Sequence, residues 1–152
     1  MRPLVIDASV WVSAADATDA LSEVSRTFLA GVVARELPVS LPEIARVEIA
    51  CALARRLRDA EQGRSLAERM LGSPLVRTYS LNRARLREAV RLGTGRYLRS
   101  GDALYAALAE GLEGEVVTWD RELVERAGAL TPRDWIDARS RGTSPAGPAG
   151  SP

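Results

Sequence analysis

The sequence predicts an α/β fold, a three-layer α/β/α sandwich in which helices cover both faces of a central, mostly parallel sheet. Short apolar segments alternate along the chain with longer segments whose apolar residues recur at helical spacing, and that alternation is typical of parallel sheets. The first apolar segment, Leu4-Val5-Ile6, is short and unbroken, as expected for a strand buried on both faces. At 152 residues, the chain has the length of one domain.

Four segments are predicted to be strands. The first ends abruptly at Asp7, prolines bound the second, the third alternates in polarity, and the fourth runs through two valines to Thr118 and Trp119. Segments of helical pattern separate these strands, so the connections are long enough for parallel pairing. The predicted strands cover residues 4–6, 38–42, 75–79 and 115–119.

Helices are predicted where apolar residues recur at intervals of three or four, as Phe28 and Val32 do in the second of them. Pro42 suits the first turn of the helix after the second strand. Gly93-Thr94-Gly95 is expected to break a helix, and Gly128 is expected to end the last one. The predicted helices cover residues 9–15, 21–35, 42–59, 61–71, 82–92, 102–112 and 120–127.

The segment from Thr131 to Ile136 closes the domain, which we place at residues 1–139. From Ser140 onward, nine of the thirteen remaining residues are Ser, Gly or Pro. Such a segment buries too little surface to offset its ordering entropy. We therefore expect residues 140–152 to form a flexible tail outside the fold.

The composition excludes several kinds of chemistry. The chain has no histidine and no lysine, so all 21 basic residues are arginine, and Cys51 is the single cysteine. Histidine bases, lysine-dependent phosphate loops and cysteine metal clusters are therefore excluded. Aspartate and glutamate are left as the main groups for catalysis, and they usually act with a metal ion.

The composition also bears on location. The chain has no apolar run of membrane-spanning length, and Met1 to Pro3 lead directly into the first strand, which leaves no room for a signal peptide. A single cysteine provides no disulfide framework. We expect a cytoplasmic protein with no membrane partner.

Glu48 is the clearest candidate for a functional residue, because its helical neighbours are apolar. A carboxylate on an apolar helix face is unfavourable unless it has a partner. That partner is either a metal ion or an arginine from elsewhere in the chain. Glu43, by contrast, lies in a first helical turn and is interpreted as a surface residue. The neighbours of Glu48 at minus four, minus three, plus three and plus four are Ile44, Ala45, Cys51 and Ala52.

Three aspartates stand at the ends of predicted elements. Asp7 follows the first strand, Asp102 opens a helix, and Asp120 follows the fourth strand. Each one alone suits a helix N-cap. Together with Glu48 they suggest one site, because right-handed βαβ connections bring strand ends to one edge of a sheet. Clustered carboxylates repel one another unless a cation is present, and oxygen ligands suit Mg²⁺ or Mn²⁺.

At these residues the chain resembles a known family. The segments Val5–Trp11, Ala45–Ile49, Gly101–Ala109 and Val117–Leu123 are similar to the four acidic motifs of PIN-domain ribonucleases, and especially of VapC-type toxins. The resemblance extends from Leu4 to Ile136 in the family's order and spacing. It implies a PIN-like sandwich and a nuclease domain over residues 1–139.

The resemblance also implies a function, namely a Mg²⁺-dependent endoribonuclease in which Mn²⁺ can substitute. A metal-activated water would attack phosphorus in line and leave a 5′-phosphate and a 3′-hydroxyl; the sequence does not distinguish one ion from two. Ser9 and Thr118 are implied as supporting hydroxyls, and Trp119 is bulkier than the residue expected between Thr118 and the next acid. The implied catalytic and metal-binding residues are Asp7, Glu48, Asp102 and Asp120.

Arginines are the candidates for RNA contacts. Arg96 and Arg99 stand just before Asp102 and are predicted to bind RNA phosphates. On the preceding helix, positions 83, 87 and 91 are arginines on one face. That face is either a second phosphate-binding surface or an ordinary solvated one paired partly with Glu88.

The resemblance implies two protein partners, a cognate antitoxin and a second copy of the chain. The antitoxin is expected in a groove formed by the helices at 41–59 and 61–71. A non-catalytic PIN-like protein-interaction module is the alternative function, although the presence of all four acids argues against it. The apolar residues expected to line the groove are Leu53, Leu57, Leu66 and Met70.

Overall fold

A computed structural model describes residues 2–141 of the chain. Within that range, one parallel sheet of four strands has the order β3-β2-β1-β4. The strands are β1 (Leu4–Ile6), β2 (Val39–Pro42), β3 (Val76–Tyr79) and β4 (Glu115–Val117). The helices are α1 (Ala8–Ala15), α2 (Ser22–Ala34), α3 (Ile44–Leu57), α4 (Ala60–Leu71), α5 (Arg83–Arg96), α6 (Ser100–Gly111), α7 (Arg121–Ala127) and α8 (Pro132–Arg141).

Strand β1 lies inside the sheet and pairs in parallel with both β2 and β4. Val5 is aligned with Ser40 on one side and with Val116 on the other. Strands β1, β2 and β3 lie side by side in chain order, and the chain then returns to the opposite side of β1, where it forms β4. This reversal makes the carboxyl ends of β1 and β4 a topological switch point, where α/β sheets form their crevice.

The predicted α/β/α sandwich is confirmed. Helix α6 packs against β1, β2 and β4 and is backed by α5, while α1 packs against α2 and α3. All three residues of β1 are buried, which agrees with a strand covered on both faces. Helix α8 packs against α2, where the rings of Phe28 and Trp135 meet edge to face with centroids 4.9 Å apart.

The prediction that Gly93-Thr94-Gly95 breaks a helix is wrong, since α5 continues to Arg96. A Cβ atom on Gly93 would lie 2.9 Å from the Cβ of Ala103. The glycine at position 93 therefore allows α5 and α6 to approach closely. Helix α5 ends at Arg96, and the next residue, Tyr97, caps it in the left-handed conformation with φ of 55°.

Helix α8 begins with a reciprocal cap, in which the Thr131 hydroxyl accepts from the Asp134 amide at 3.1 Å and the Asp134 carboxylate accepts from the Thr131 amide at 3.2 Å. The helix runs to Arg141 and so includes the first two residues of the predicted tail. The remainder of that tail, residues 142–152, lies outside the described residues. No helix in the described part of the chain is long and apolar enough to cross a membrane.

The groove predicted at α3 and α4 differs from the expectation at Leu53, and these two helices pack against each other. The Leu53 side chain is fully buried, and Leu57, Leu66 and Met70 are half-buried against the same core. The prediction is therefore wrong for Leu53, whereas Leu57, Leu66 and Met70 keep part of their side chains exposed. The spacing of apolar residues predicted the buried face of each helix but not which helix would cover it.

Two glycine substitutions test the close packing of α3 and α4. A Cβ atom on Gly63 would lie 2.6 Å from the Ala54 amide nitrogen, whereas a Cβ atom on Gly95 meets nothing within 4 Å. Gly63→Ala should lower the free energy of unfolding by about 1–3 kcal/mol through overpacking. Gly95→Ala, the control, should raise it by up to about 1 kcal/mol, because alanine favours a helix interior. Urea unfolding measures both, and equal effects would contradict the packing argument.

Candidate active site

The four acids that the sequence predicts as a site all lie at the carboxyl edge of the sheet. Asp7 follows β1 and Asp120 follows β4, and these neighbouring strands are joined beyond their ends by the Asp7 amide, which donates to the Val117 carbonyl at 2.9 Å. Glu48 comes from α3 and Asp102 from the first turn of α6. Two strand ends and two helices thus contribute one carboxylate each.

Asp7 is 7% exposed and is held in one orientation by three hydrogen bonds to one oxygen. Its Oδ2 accepts from the Ser9 hydroxyl at 2.5 Å, the Ser9 amide at 3.3 Å and the Thr118 hydroxyl at 2.9 Å. The Ser9 amide belongs to the first turn of α1, so Asp7 is also the N-cap of that helix. The two interpretations left open by the sequence, cap and site residue, are therefore compatible.

Ser9 and Thr118 connect the ends of β1 and β4 through their hydroxyls. Besides contacting Asp7, Thr118 Oγ1 accepts from the Asp120 amide at 2.8 Å, and Ser9 Oγ accepts from the Trp119 amide at 3.1 Å. Thr118 is fully buried. Because each hydroxyl contacts both strand ends, the pair fixes Asp7 relative to Asp120.

Trp119, which is larger than the resemblance leads one to expect, is accommodated beside α2. Its indole Nε1 donates to the Ser25 hydroxyl at 2.8 Å, and that hydroxyl lies 2.6 Å from the hydroxyl of Ser13. The polar edge of the indole is therefore satisfied, while its ring lines a cavity next to the acids.

The two carboxylate oxygens of Asp120 make different contacts, one with a helix N-terminus and one with an arginine. Its Oδ1 caps α7 by accepting from the amides of Glu122 at 2.8 Å and Leu123 at 3.4 Å. Its Oδ2 pairs with the Arg99 guanidinium. The cap fixes the carboxylate so that its second oxygen points away from the helix it caps.

Asp102 is not an N-cap, because α6 begins two residues earlier, at Ser100, with Arg99 in the cap position. Its Oδ2 pairs with Arg99 Nε at 3.1 Å. Burial raises the pKa of the Asp102 carboxyl, and the negative charge of Asp120 raises it further, while Arg99 opposes both. The capping alternative is therefore wrong for Asp102, although it is right for Asp7 and Asp120.

Glu48 is partnered by a tyrosine. Its Oε2 accepts from the Tyr105 hydroxyl at 2.5 Å, and the Tyr105 side chain is 1% exposed. The arginine that the sequence left open as a partner is not found among the described residues. Burial raises the pKa of the Glu48 carboxyl; the Tyr105 hydrogen bond lowers it, and the charges of Asp7 and Asp102 raise it.

Sequence reasoning missed two residues of this site, Tyr105 and Glu122. Tyr105 lies three residues after Asp102 on α6, so the helical period places both on one face. Glu122 lies two residues after Asp120 in the first turn of α7. Ligand oxygens of Asp102, Asp120 and Glu122 all lie within 4.8 Å of one another.

These side chains fit a hard divalent cation. Their donors are carboxylate oxygens, which Mg²⁺ and Mn²⁺ prefer, and three of them lie close enough to share one ion. Burial is the main cause of the raised pKa values of Glu48 and Asp102, and the negative charges of neighbouring aspartates raise both further. A dication relieves that repulsion directly.

The arginines predicted to contact RNA are engaged with carboxylates. Arg96 pairs with Glu110 at 3.0 Å, and Arg99 pairs with Asp102, Asp120 and Glu122. On the helix face at 83, 87 and 91, the last arginine pairs with Glu88 and Glu110. Arg91 therefore agrees with the second interpretation of this face, a solvated surface paired partly with Glu88.

A cavity of about 300 Å³ opens beside the acids, between α1 and α3. Glu48, Ser9 and Trp119 line the end nearest the site. Asp19 and Arg56 line another part, where their side chains pair at 2.6 Å. Glu48 is therefore accessible from solvent along this cavity.

Comparisons with known proteins identify the family of the fold. The family model described as PIN domain matches residues 4–129. No curated protein matches the chain significantly.

Several solved structures share the fold. A Pyrobaculum aerophilum protein is 20% identical, with a TM-score of 0.69 over 92% of this chain and 90% of that one. A Mycobacterium tuberculosis VapC toxin that cleaves the sarcin–ricin loop is 18% identical, with a TM-score of 0.67 over 80% of this chain and 93% of that one. A toxin–antitoxin complex from Klebsiella pneumoniae is 14% identical, with a TM-score of 0.63 over 85% and 97%.

The pKa shift of Glu48 predicts that Glu48→Gln stabilises the metal-free protein at neutral pH. The amide keeps an acceptor for the Tyr105 hydroxyl and removes a charge that burial disfavours. Because the pKa of Glu48 is raised in the folded protein, its ionisation lowers the free energy of unfolding. This loss is absent below the ordinary pKa of a glutamate, and it is complete once the pH has risen through the raised value.

The gain in Tm from Glu48→Gln should therefore be small near pH ~4 and reach about 2–5 °C at pH 7. Thermal unfolding in EDTA at both pH values measures it. Glu43→Gln is the control, because Glu43 is exposed and outside the site. A Glu48→Gln protein that is less stable than wild type at pH 7 would contradict the assignment.

Proposed function

The chain belongs to the PIN-domain family, and we propose that it is a Mg²⁺-dependent endoribonuclease acting as the toxin of a toxin–antitoxin pair. The observation that carries the proposal is the convergence of acidic side chains at the carboxyl edge of the sheet, in a chain without histidine or lysine. Family membership supports nuclease activity, and the acids supply the ligands that such chemistry needs.

The proposed metal ligands are those implied by the sequence, with Glu122 added to them. When bound, Mg²⁺ or Mn²⁺ supplies charge stabilisation for the phosphodiester and a lower pKa for the attacking water. The products would carry a 5′-phosphate and a 3′-hydroxyl. The proposed ligands are Asp7, Glu48, Asp102, Asp120 and Glu122.

The protein's own contribution is to fix these carboxylates in place before the substrate arrives. The hydroxyls of Ser9 and Thr118 hold Asp7, and the hydroxyl of Tyr105 holds Glu48. Preorganised groups need no rearrangement as charge develops in the transition state. We assign Ser9, Thr118 and Tyr105 to positioning and not to proton transfer.

RNA is the proposed substrate class. The family resemblance supports it, and so does the similar fold of the Mycobacterium tuberculosis toxin that cleaves the sarcin–ricin loop. The phosphate-binding function of Arg96 and Arg99 remains a prediction. Both side chains are paired with carboxylates in this structure, so each would have to exchange that partner for a phosphate.

The first experiment is cleavage of single-stranded or looped RNA with Mg²⁺ or Mn²⁺. Activity should stop when EDTA removes the cation, and the products should be degraded by a 5′-phosphate-dependent exonuclease. Asp7→Asn keeps the shape of the side chain and removes its charge, so the rate should fall at least about 100-fold while the fold persists. Circular dichroism checks the fold.

Glu43→Gln is the control for this assay and should stay active, because Glu43 lies at the exposed start of α3. Cleavage that survives EDTA would refute the mechanism, as would products ending in 2′,3′-cyclic phosphate. The alternative function, a non-catalytic PIN-like interaction module, would leave RNA intact with every cation.

A small antitoxin and a second copy of the chain are the proposed protein partners. The similar fold of a Klebsiella pneumoniae toxin–antitoxin complex supports the antitoxin. Light scattering should give twice the mass of the chain, and co-expression with the product of the adjacent upstream reading frame should give a stable complex that no longer cleaves RNA. A strict monomer at high concentration would refute the dimer, and failure to form a complex would count against the antitoxin.

A further inference from the structure

We propose that Arg99 is an internal counter-cation, which occupies the metal position in the metal-free protein and leaves when a divalent ion binds. The proposal rests on the proposed function, because it concerns the same carboxylates. It assigns to Arg99 a property that phosphate binding does not include, namely direct competition with the metal.

The contacts of Arg99 lead to this inference. Its guanidinium pairs with Asp102 at 3.1 Å, with Asp120, and with Glu122 at 3.4 Å. These are the same three residues whose ligand oxygens lie within 4.8 Å of one another. One planar guanidinium therefore binds all three carboxylates that are close enough to share a metal ion.

A divalent ion and this guanidinium cannot use the same oxygens together. Arg99 already engages Oδ2 of Asp102 and Oδ2 of Asp120, and a dication placed between those oxygens would be repelled by the arginine charge. The three carboxylates, with Arg99 and with Arg126 that pairs with Glu122, still leave a net negative charge at the site. A dication neutralises more of that charge than Arg99 does, so exchange is favourable once the ion is abundant.

The backbone around Arg99 is fixed, so only its side chain has to move. Arg99 is the N-cap residue of α6, and the preceding loop is tied to α7 because Arg126 donates to the Tyr97 carbonyl. The Arg99 side chain is 65% exposed and has an open route to solvent. Glu122 keeps an ion pair with Arg126, at 3.1 Å, when Arg99 leaves.

Competition has two consequences that can be measured. Arg99 stabilises the metal-free fold, because it relieves the repulsion between three clustered carboxylates. By the same linkage it weakens metal binding, since each ion must first displace it. A residue that only positioned the acids for the metal would strengthen binding instead, so the sign of the effect separates the two functions.

The test is a Mn²⁺ titration by calorimetry with wild type, Arg99→Gln and Arg121→Gln. Arg99→Gln should bind Mn²⁺ about tenfold more tightly, the size expected when a charge-assisted contact no longer has to be broken. Arg121→Gln is the matched control, because it removes one positive charge beside Asp120 from a side chain that is 89% exposed and pairs with Glu125. Its affinity should change less than about threefold, since exposed charges are screened.

Thermal unfolding supplies the second readout. Arg99→Gln should have a lower Tm than wild type in EDTA, and the deficit should shrink or reverse at saturating Mn²⁺. If Arg99→Gln does not fold, Arg99→Lys takes its place and should also bind Mn²⁺ more tightly than wild type, because an ammonium lacks the planar fork that spans three carboxylates.

Equal or weaker Mn²⁺ binding by the Arg99 variants, with normal binding by wild type, would overturn the counter-cation proposal and leave the nuclease proposal standing. The absence of Mn²⁺ binding in every protein, including Arg99→Gln, would overturn both.

Discussion

Repulsion between like charges is the constraint on which the rest of this site depends. The carboxyl edge of the sheet gathers acidic side chains from two strand ends and three helices, and they are stabilised in different ways. Hydroxyl groups donate hydrogen bonds to Asp7, and the buried phenol of Tyr105 donates one to Glu48, whose pKa is raised. Arg99 forms ion pairs with Asp102 and Asp120. The clustered carboxylates cost folding free energy, and these partners offset part of that cost so that the site can form.

The interactions that build the site also build the fold. Asp7 and Asp120 cap α1 and α7, and Thr118 joins the ends of β1 and β4 through hydrogen bonds to both aspartates. Stability and site geometry are thus coupled at the same atoms. The exclusive use of arginine adds to this coupling, because a guanidinium remains charged and spans several carboxylates, whereas an ammonium is a point charge. Arg99 uses that property.

Much of the fold could be predicted because its signals are local. Apolar spacing located the strands and the helices between them, and the burial of Leu4, Val5 and Ile6 agrees with the prediction. Two of the errors arose where a residue acts through a distant neighbour. Gly93 was interpreted as a helix breaker, yet it permits close contact with Ala103. Leu53 was expected to line a groove, yet it is buried in the core.

The sequence by itself determined which acids stand at element ends, because strand ends and helix starts are encoded within a few residues of each carboxylate. That information, together with the apolar helical neighbours of Glu48, was sufficient to predict that Asp7, Glu48, Asp102 and Asp120 lie at one edge. Only the tertiary structure decided how they are partnered, since no local pattern shows which side chains meet across separate elements. Tyr105 reaches Glu48 from another helix, and Arg99 reaches from the start of α6 to α7, because the folded backbone places those distant segments within a few ångströms.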